Sequence, residues 1–253
     1  MRIELLYNPL LLLERLGQAA TNRKRLRKLR RTPASTLQVG HVDSLELLEL
    51  LRDRPPRIIY DVGAYEGTWT VLAKAIFPEA EVHAFEPLAA LRKDFSRQTN
   101  GLTKIYYHPI ALGAMTGTLP MKLASSLDSS SILKMTQEQI KQFRVQPAGV
   151  ELVHAESLDE YIRKVSLPLP NLLKLDIQGY ELEALRGAEE CLASVDAVLS
   201  EVSFVEFYDE QCLFGDVVAF LGKRGFRVRA FGAKTTLGKR ILQTDVLFEK
   251  GDH

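Results

Sequence analysis

The sequence predicts an α/β protein with a mostly parallel, seven-stranded sheet and an N-terminal helical arm. Two observations lead to this fold class. From residue 57 onward, short apolar runs alternate with amphipathic stretches, which is the pattern of βα units around a parallel sheet. The chain has 253 residues and is 46% hydrophobic, which indicates one large globular domain with an added segment rather than a disordered chain.

Residues 1–56 form the predicted arm, which contains two helices and begins with a strongly basic segment. One helix is predicted over residues 3–31, where leucines recur at helical spacing, and a second over residues 44–52. Residues 1–31 carry a net charge of +7, so the rest of the chain carries −6. The arm is therefore a candidate lid, a candidate dimerisation element of a homodimer, or a peripheral contact with an anionic membrane surface.

No stretch near the N terminus has the length of a membrane-spanning helix. The apolar run at residues 9–13 is followed by Glu14 and Arg15, far short of the ~20 apolar residues that a span needs. It also lacks the basic flank and the cleavage site of a signal peptide. Cys191 and Cys212 are too few for a disulfide framework or a zinc site. We therefore expect a cytoplasmic protein.

Residues 57–253 form the predicted main domain. Its seven strands are expected at residues 58–62, 82–86, 105–111, 172–177, 197–202, 226–231 and 245–248. Its four helices are expected at residues 68–76, 88–98, 180–191 and 216–223. The last two strands lack an intervening helix, so they should form a hairpin. An excursion between the third and fourth strands should add two strands, at residues 117–123 and 150–154, and a helix at 136–143. Its serine-rich loop, residues 125–131, fits either a substrate loop or a solvated surface loop.

The first predicted strand ends in a glycine turn that begins a helix. Asp61 lies near the end of the strand, and Gly63 and Gly67 follow it. Ligands of open α/β sheets bind beyond the carboxyl ends of strands, where Gly63 would let the backbone turn closely against a ligand. An ordinary βα turn can carry the same glycines, so this pattern alone leaves the question open.

An acid at the end of the second strand indicates a nucleoside-bearing cofactor. Glu86 follows Gly63 by 23 residues and can accept hydrogen bonds from both hydroxyls of a ribose. A dinucleotide would need a bare glycine where this chain has Tyr65, and the Asp61 carboxylate would repel a diphosphate. These residues favour S-adenosylmethionine over NAD.

Four motifs in fixed order resemble the FkbM family of methyltransferases. They are D-V-G-A-x-x-G-x-x-T at residues 61–70, F-E-P at 85–87, A-L-G at 111–113 and K-L-D-I-Q-G-Y-E at 174–181. The resemblance covers roughly residues 57–250 and implies a Rossmann-like class I methyltransferase fold with helices on both faces of the sheet. It also implies S-adenosylmethionine as cofactor and methylation of a hydroxyl on a small molecule, sugar or lipid. Tyr65 and Ala114 depart from the residues that the family usually carries.

The resemblance places the cofactor-binding residues in the turns after the strands. These residues are Asp61, Gly63, Ala64, Tyr65, Gly67, Thr68, Glu86, Pro87, Ala111, Leu112 and Asp176. The first turn would face the methionine part, Glu86 the ribose, and Ala111 with Leu112 the adenine. A cation–π contact of the Tyr65 ring and plain packing are both open.

Asp176, Lys174 and Glu201 are the candidate catalytic residues. Asp176 lies at the end of the fourth strand, next to the first, and is the leading candidate for the base that takes the proton of an acceptor hydroxyl. A helix cap is the alternative role for Asp176. Lys174 shares its face of the strand and would steer an acidic acceptor or pair with Asp176. Glu201 ends the fifth strand. Asp176 and Glu201 could hold Mg²⁺ but have no clear third ligand, so no metal is predicted. His108 is placed inside the third strand and interpreted as structural.

Two other classes of function remain as alternatives. One is a nucleic-acid methyltransferase, which residues 176–179 disfavour because they read D-I-Q-G rather than the Asn/Asp-Pro-Pro-Tyr/Phe of adenine N-methylases. The other is a non-catalytic nucleoside-binding protein, against which the intact acids and Gly63 argue. The sequence does not identify the acceptor.

Overall fold

The computed structural model describes residues 9–251, with side chains from residue 19 onward. The eight α-helices of this part are α1 (Pro9–Leu29), α2 (Leu45–Glu49), α3 (Thr68–Ile76), α4 (Arg92–Gln98), α5 (Gln137–Phe143), α6 (Leu158–Val165), α7 (Glu181–Arg186) and α8 (Phe214–Gly222). Its ten strands are β1 (Ile58–Val62), β2 (Glu81–Phe85), β3 (Ile105–His108), β4 (Ala111–Leu112), β5 (Gly117–Ala124), β6 (Pro147–Glu156), β7 (Leu172–Leu175), β8 (Ala197–Ser203), β9 (Phe226–Leu237) and β10 (Arg240–Lys250). The first six residues of the predicted N-terminal helix, 3–8, lie outside the described residues.

Seven strands form the main sheet, as predicted. Their order is β3-β2-β1-β7-β8-β10-β9, and all neighbours are parallel except β10, which runs antiparallel to both β8 and β9. The predicted pairing of the first strand with the fourth, and of the fourth with the fifth, is confirmed. The order in which strands are added reverses between β1 and β7, because the chain first builds outward through β2 and β3 and then returns to the other side of β1. In such sheets the ligand site lies at this reversal.

The sheet is covered on both faces because its central strands alternate their apolar side chains. Tyr60 and Val62 point into a core with residues of α6, α7 and α8, whereas Ile59 points into a core with residues of α2 and α3. All three side chains are buried. Burial on both faces is what gives parallel strands their continuous apolar runs.

The predicted arm packs against the second of these cores. Leu29, Val42 and Leu48 are buried there together with Leu72 of α3. The division of the chain at residue 57 stays a prediction about its organisation, as does dimerisation. No helix among residues 9–251 is long and apolar enough to cross a membrane.

Ion pairs join the basic run of α1 to the acidic segment that follows it. Arg25 lies 2.7 Å from Glu46 and 3.3 Å from Asp43, and Lys28 lies 2.6 Å from Glu49. Part of the positive charge of the arm is therefore already compensated within the chain.

The excursion after β3 forms a small second sheet. The predicted strands at 117–123 and 150–154 are confirmed as parts of β5 and β6, which pair antiparallel, and β4 joins β6 in parallel. The predicted third strand is too long, because Pro109 lacks the N–H that would continue the ladder beyond His108. Residues 111 and 112 consequently belong to the second sheet.

Several predicted element bounds are wrong, and one helix was missed. The helix predicted at 180–191 ends at Arg186, and the one predicted at 88–98 starts as a 3₁₀ turn before α4. The final hairpin is confirmed but its strands are longer than predicted. Helix α6 has no counterpart in the prediction, although Ser157 shows its start: the Ser157 side chain accepts a hydrogen bond from the N–H of Glu160.

His108 is the last residue of β3 rather than a residue inside the strand. It belongs to a buried series of hydrogen-bonded side chains. Its Nε2 lies 2.9 Å from Nδ1 of His83, whose Nε2 lies 2.9 Å from a carboxylate oxygen of Glu81. Its Nδ1 lies 3.1 Å from the hydroxyl of Tyr161. Burial lowers the pKa of both imidazoles, to about 4 for His108. Both rings are therefore neutral at pH 7.

Candidate active site

A cleft of about 390 Å³ opens at the carboxyl ends of β1, β2 and β7. One half is lined by the turns after β1 and β2 and by β4. The other half is lined by the turn after β7, the loop after β5, strand β10 and residues 40–44. The cleft therefore lies at the point between β1 and β7 where the order of the strands predicts a ligand site.

The turn after β1 requires glycine. Gly63 has a φ of +76°, and a Cβ added there would lie 1.9 Å from the carbonyl oxygen of Asp176. The N–H groups of Gly63 and Ala64 both donate to the carbonyl of Phe85, which ties this turn to the end of β2. Tyr65 has a φ of +50° and lines the cleft. The backbones after β1 and β7 thus approach too closely for any side chain at residue 63.

Asp61 and Lys174 form a buried ion pair beneath this turn. An Asp61 oxygen lies 3.0 Å from Nζ of Lys174, and the other accepts a hydrogen bond of 2.6 Å from the Thr70 hydroxyl. Nζ also donates to the carbonyl of Gly63 at 2.9 Å. Burial alone would lower the pKa of Lys174, but the negative charges of Asp61 and Asp176 raise it above its usual value. Asp61, like Gly67, is not among the residues that line the cleft.

Glu86 follows β2 directly and lines the cleft. One carboxylate oxygen accepts a hydrogen bond from the N–H of Tyr65 at 3.0 Å and the other from the N–H of Leu88 at 2.9 Å. Burial nevertheless raises its pKa to about 7. Pro87, Thr68, Ala111 and Leu112 also line this half of the cleft. The predicted ribose acceptor therefore sits on the wall of the cleft with its oxygens held by the backbone.

Asp176 and Glu201 are joined by an amide that the sequence prediction missed. Nε2 of Gln178 lies 3.0 Å from an oxygen of Asp176 and 3.3 Å from an oxygen of Glu201. The other Glu201 oxygen accepts a hydrogen bond of 2.6 Å from Gln243. Burial and the nearby charge of Asp176 raise the pKa of Glu201 well above its usual value. Gln178 lies within the K-L-D-I-Q motif, which could have drawn attention to it, whereas no pattern marks Gln243.

The Asp176 side chain is 39% exposed and has few polar contacts. Besides Gln178, it has Lys174 Nζ at 3.8 Å. The alternative role, a cap of helix α7, is not seen. Instead Glu181 accepts hydrogen bonds from the N–H groups of Ile177 and Gly179 at 3.0 and 3.1 Å, and its burial raises its pKa to about 7. Asp176 is thus free to face the cleft.

The serine-rich loop at residues 125–131 lines the cleft through Asp128, Ser129 and Ser130. The Ser131 hydroxyl donates to the carbonyl of Gln178 at 2.7 Å, and the Tyr208 hydroxyl lies 2.9 Å from the Gln178 side-chain oxygen. The loop is therefore tied to the turn that carries Asp176.

Residues 40–44 also line the cleft, which the sequence prediction missed. Ser44 donates to the Asp245 carboxylate of β10 at 2.6 Å, across 201 positions of the chain. His41 and Asp43 lie on the cleft wall beside it. A segment outside the recognised motifs thus contributes to the site.

Among residues 9–251, no group of three or more His, Cys, Asp or Glu side chains is arranged to hold a metal ion. The absence of a metal from the reaction stays a prediction.

The strand order, the change in the order of strand addition at β1 and the glycine turn are those of the class I methyltransferase fold. The chain resembles magnesium protoporphyrin IX methyltransferase from Synechocystis, solved with S-adenosylmethionine bound, at a TM-score of 0.50 and 14% identity over 94% of this chain and 96% of that one. Residues 61–228 match the methyltransferase FkbM domain. The chain belongs to the FkbM methyltransferase family and is an S-adenosylmethionine-dependent methyltransferase.

Two curated relatives illustrate the range of the similarity. The 2-O-methyltransferase NoeI of Sinorhizobium fredii is 24% identical over 72% of this chain and 75% of its own length. The hexuronic acid methyltransferase AglP of Haloferax volcanii is 28% identical over 64% of this chain and 62% of its own length.

Proposed function

We propose that the protein transfers a methyl group to a hydroxyl of a small molecule, such as a sugar, a lipid or another natural product. The observation that carries the proposal is the Asp176 carboxylate, which is exposed to the cleft directly after β7 and beside the turn at Gly63. The names of the 2-O-methyltransferase NoeI and of a 31-O-demethyl-FK506 methyltransferase, both similar in sequence to this chain, support a hydroxyl acceptor. The name of AglP supports a sugar as the acceptor.

The residues around the first half of the cleft fit S-adenosylmethionine. Gly63 leaves a cradle that a Cβ would fill, and each Glu86 oxygen, which makes one hydrogen bond to the backbone, keeps a lone pair for a ribose hydroxyl. Ala111 and Leu112 offer an apolar wall for the adenine. When bound, this cofactor supplies a methyl group that is electrophilic because it is attached to a sulfonium.

Within this site Asp176 would act as the base. Its carboxylate would accept the proton of the acceptor hydroxyl as the oxygen forms its bond to the methyl carbon. The amide of Gln178 fixes one Asp176 oxygen at 3.0 Å, which leaves the other oxygen to face the acceptor. Holding the base and the acceptor in one geometry contributes to the rate because the entropy of alignment is lost on binding.

Glu201 and Lys174 would act through Asp176 and the turn. Glu201 would accept a hydrogen bond from the same Gln178 amide as Asp176 and so hold that amide in place beside the base. Lys174 would pair with Asp61 and hold the carbonyl of Gly63 in place. Asp61 would therefore support cofactor binding from beneath the turn. Tyr65, Thr68 and Pro87 would contact the cofactor from the wall of the cleft.

Calorimetry followed by a transfer assay tests this function. We expect the protein to bind S-adenosylmethionine and not NAD, and to label a hydroxyl compound when given methyl-labelled cofactor with a panel of sugars, lipids and metabolites. Gln178→Glu, which replaces the amide with a third acid, should lower turnover without preventing cofactor binding. Labelled product on nitrogen instead of oxygen, or no binding of S-adenosylmethionine, would contradict the proposal.

A further inference from the structure

We propose that the acceptor carries no negative charge and binds by donating hydrogen bonds from its hydroxyl groups. This inference rests on the proposed function, since it concerns the acceptor half of the same cleft. It adds a charge class to the proposed acceptor.

Charged side chains around the acceptor half are mostly acidic. Asp43, Asp128, Asp176, Glu201 and Asp245 line the cleft, and they come from five separate segments of the chain. Among the described residues that line it, none is an arginine. An anion entering this space would approach several carboxylates in a partly dry environment, where like charges repel more strongly than in water.

Among the described residues that line the cleft, the one lysine, Lys174, is already engaged. Nζ of Lys174 lies 3.0 Å from Asp61 and donates to the carbonyl of Gly63 at 2.9 Å. Its side chain is only 6% exposed. An acidic acceptor would have to compete with Asp61 and with the carbonyls of Val62 and Gly63 for the three N–H donors of this ammonium. The steering role that the sequence suggests for Lys174 therefore has no support in its contacts.

The neutral donors around Asp176 are engaged as well. The side-chain amides of Gln178 and Gln243 both point their NH₂ groups at carboxylates, at 3.0 Å from Asp176 and 2.6 Å from Glu201. The N–H groups of Ile177 and Gly179 donate to Glu181. Binding of a carboxylate or phosphate needs such donors, because a buried anion without hydrogen bonds is strongly unfavourable.

Oxygen acceptors, by contrast, remain open to a ligand. The second oxygen of Asp176 and the side-chain oxygen of Gln243 can each accept a hydrogen bond, and the hydroxyl of Thr235 on β9 lies on the same wall. Each can accept from a hydroxyl of an uncharged polyol. Beside Asp176 and Glu201, the open acceptors and the engaged amides thus match a neutral, hydroxyl-rich molecule.

Matched pairs of probes test the inference through binding as well as turnover. Trp69, the single tryptophan of the chain, lines the cleft, so its fluorescence reports on occupancy. The protein saturated with S-adenosylhomocysteine would be titrated with methyl glucoside against methyl glucuronide and with glycerol against glycerate. Each pair differs by one carboxylate. We expect the neutral member to bind, and to accept label from methyl-labelled cofactor, at least tenfold better than the acidic member.

A charge variant makes the result specific to this cleft. Gln243→Arg should narrow the difference within each pair at least threefold, whereas Thr118→Arg, on the exposed face of β5, should leave it unchanged. An acidic member that binds as well as its neutral partner, or pairs whose members respond alike, including no response from either, would overturn the inference. If charge selectivity in binding is present while no hydroxyl compound is methylated, the proposed function fails and the charge class stands.

Discussion

The two halves of the cleft are built in different ways. The cofactor half consists of turns after β1 and β2, which lie about twenty residues apart, and its contacts are largely between backbone groups: the N–H groups of Gly63 and Ala64 bind the carbonyl of Phe85. The acceptor half brings together residues 40–44, the loop after β5, the turn after β7 and the hairpin β9–β10, and side chains make its contacts.

This difference separates the part of the cleft whose shape is set by the backbone from the part whose side chains can be exchanged. A backbone turn depends on a few glycines and one acid, so it keeps its shape when other residues change. Side-chain contacts between distant segments can be exchanged one by one without loss of the sheet. We therefore expect substitutions in the cofactor half to alter cofactor affinity and stability, and substitutions in the acceptor half to alter turnover.

The largest expected effect lies in the acceptor half. Asp176→Asn keeps the size of the side chain and removes the base, so turnover should fall by roughly 10²–10⁴ while affinity for S-adenosylmethionine stays within about threefold. Steady-state rates and calorimetry would measure the two effects. Asp128→Asn, the same change at another acid of the cleft wall, is the control and should retain most of the activity. Equal losses in both variants would remove the assignment of Asp176 as base.

The next effect concerns the close approach of two backbones in the cofactor half. Gly63→Ala should destabilise the protein by ~3 kcal/mol, because its Cβ would lie 1.9 Å from the Asp176 carbonyl and its φ is +76°. Gly101→Ala is the matched control: its φ is +82°, but nothing lies within 4 Å of the added Cβ. It should cost only the ~1–2 kcal/mol of a left-handed residue, as measured by denaturant unfolding. Similar losses of stability in both variants would show that the left-handed backbone conformation, and not the contact with the Asp176 carbonyl, requires glycine at residue 63.

A smaller effect on cofactor affinity is expected at Glu86. Glu86→Gln removes the charge that would bind the ribose hydroxyls, so the free energy of binding S-adenosylmethionine should weaken by about 1–3 kcal/mol. Glu79→Gln, whose side chain is 92% exposed, should leave the affinity unchanged in calorimetry. Unaltered affinity in folded Glu86→Gln would refute the placement of the ribose.

The raised pKa of Glu86 adds a dependence on pH. Because burial raises this pKa to about 7, the carboxylate that binds ribose forms only as the pH rises through 7. Affinity for S-adenosylmethionine should therefore increase between pH 6 and 8. The free energy of unfolding of the free protein should instead fall between about pH 4.5 and 7, because in this range the unfolded chain releases the Glu86 proton and the folded chain keeps it. Glu86→Gln should flatten the affinity profile. Glu181→Gln should not, although the pKa of Glu181 is also about 7, because Glu181 does not line the cleft.

The smallest effect should come from the arm. Arg25→Met breaks the contacts to Asp43 and Glu46, which are half-exposed, so we expect a loss of about 1 kcal/mol in the free energy of unfolding. Asp43 lines the cleft, so the KM of the acceptor should change more than the affinity for the cofactor. Lys28→Met removes a more exposed pair and should cost under ~0.5 kcal/mol without changing KM. A change in cofactor affinity without a change in the KM of the acceptor in Arg25→Met would contradict the division of the cleft into a cofactor half and an acceptor half.

The sequence was sufficient to place the turns after β1, β2 and β7, and insufficient for the side-chain contacts that join distant segments of the cleft. The turn at Gly63, Glu86 and Asp176 follow strands that are marked by their own apolar runs, so local pattern predicts their position. The pairing of Ser44 with Asp245 joins residues 201 positions apart, and no local pattern encodes it. The roles of Gln178 and Gln243 follow only from the carboxylates that they bind in the folded protein. The start of helix α6 is marked in the sequence by Ser157, but its eight residues contain too few apolar side chains to show a helical pattern.

The buried chain from Tyr161 to Glu81 has a direction. The carboxylate of Glu81 can only accept, so Nε2 of His83 must carry the hydrogen and its Nδ1 must be bare. His108 then donates from Nε2 and accepts from Tyr161 at Nδ1, so that every proton points from α6 across β3 to the far end of β2. Reversing one tautomer would force all the others to reverse and leave the carboxylate facing a lone pair. The two imidazoles and their neighbours therefore form one hydrogen-bonded chain with a single arrangement of protons, in which each bond polarises the next.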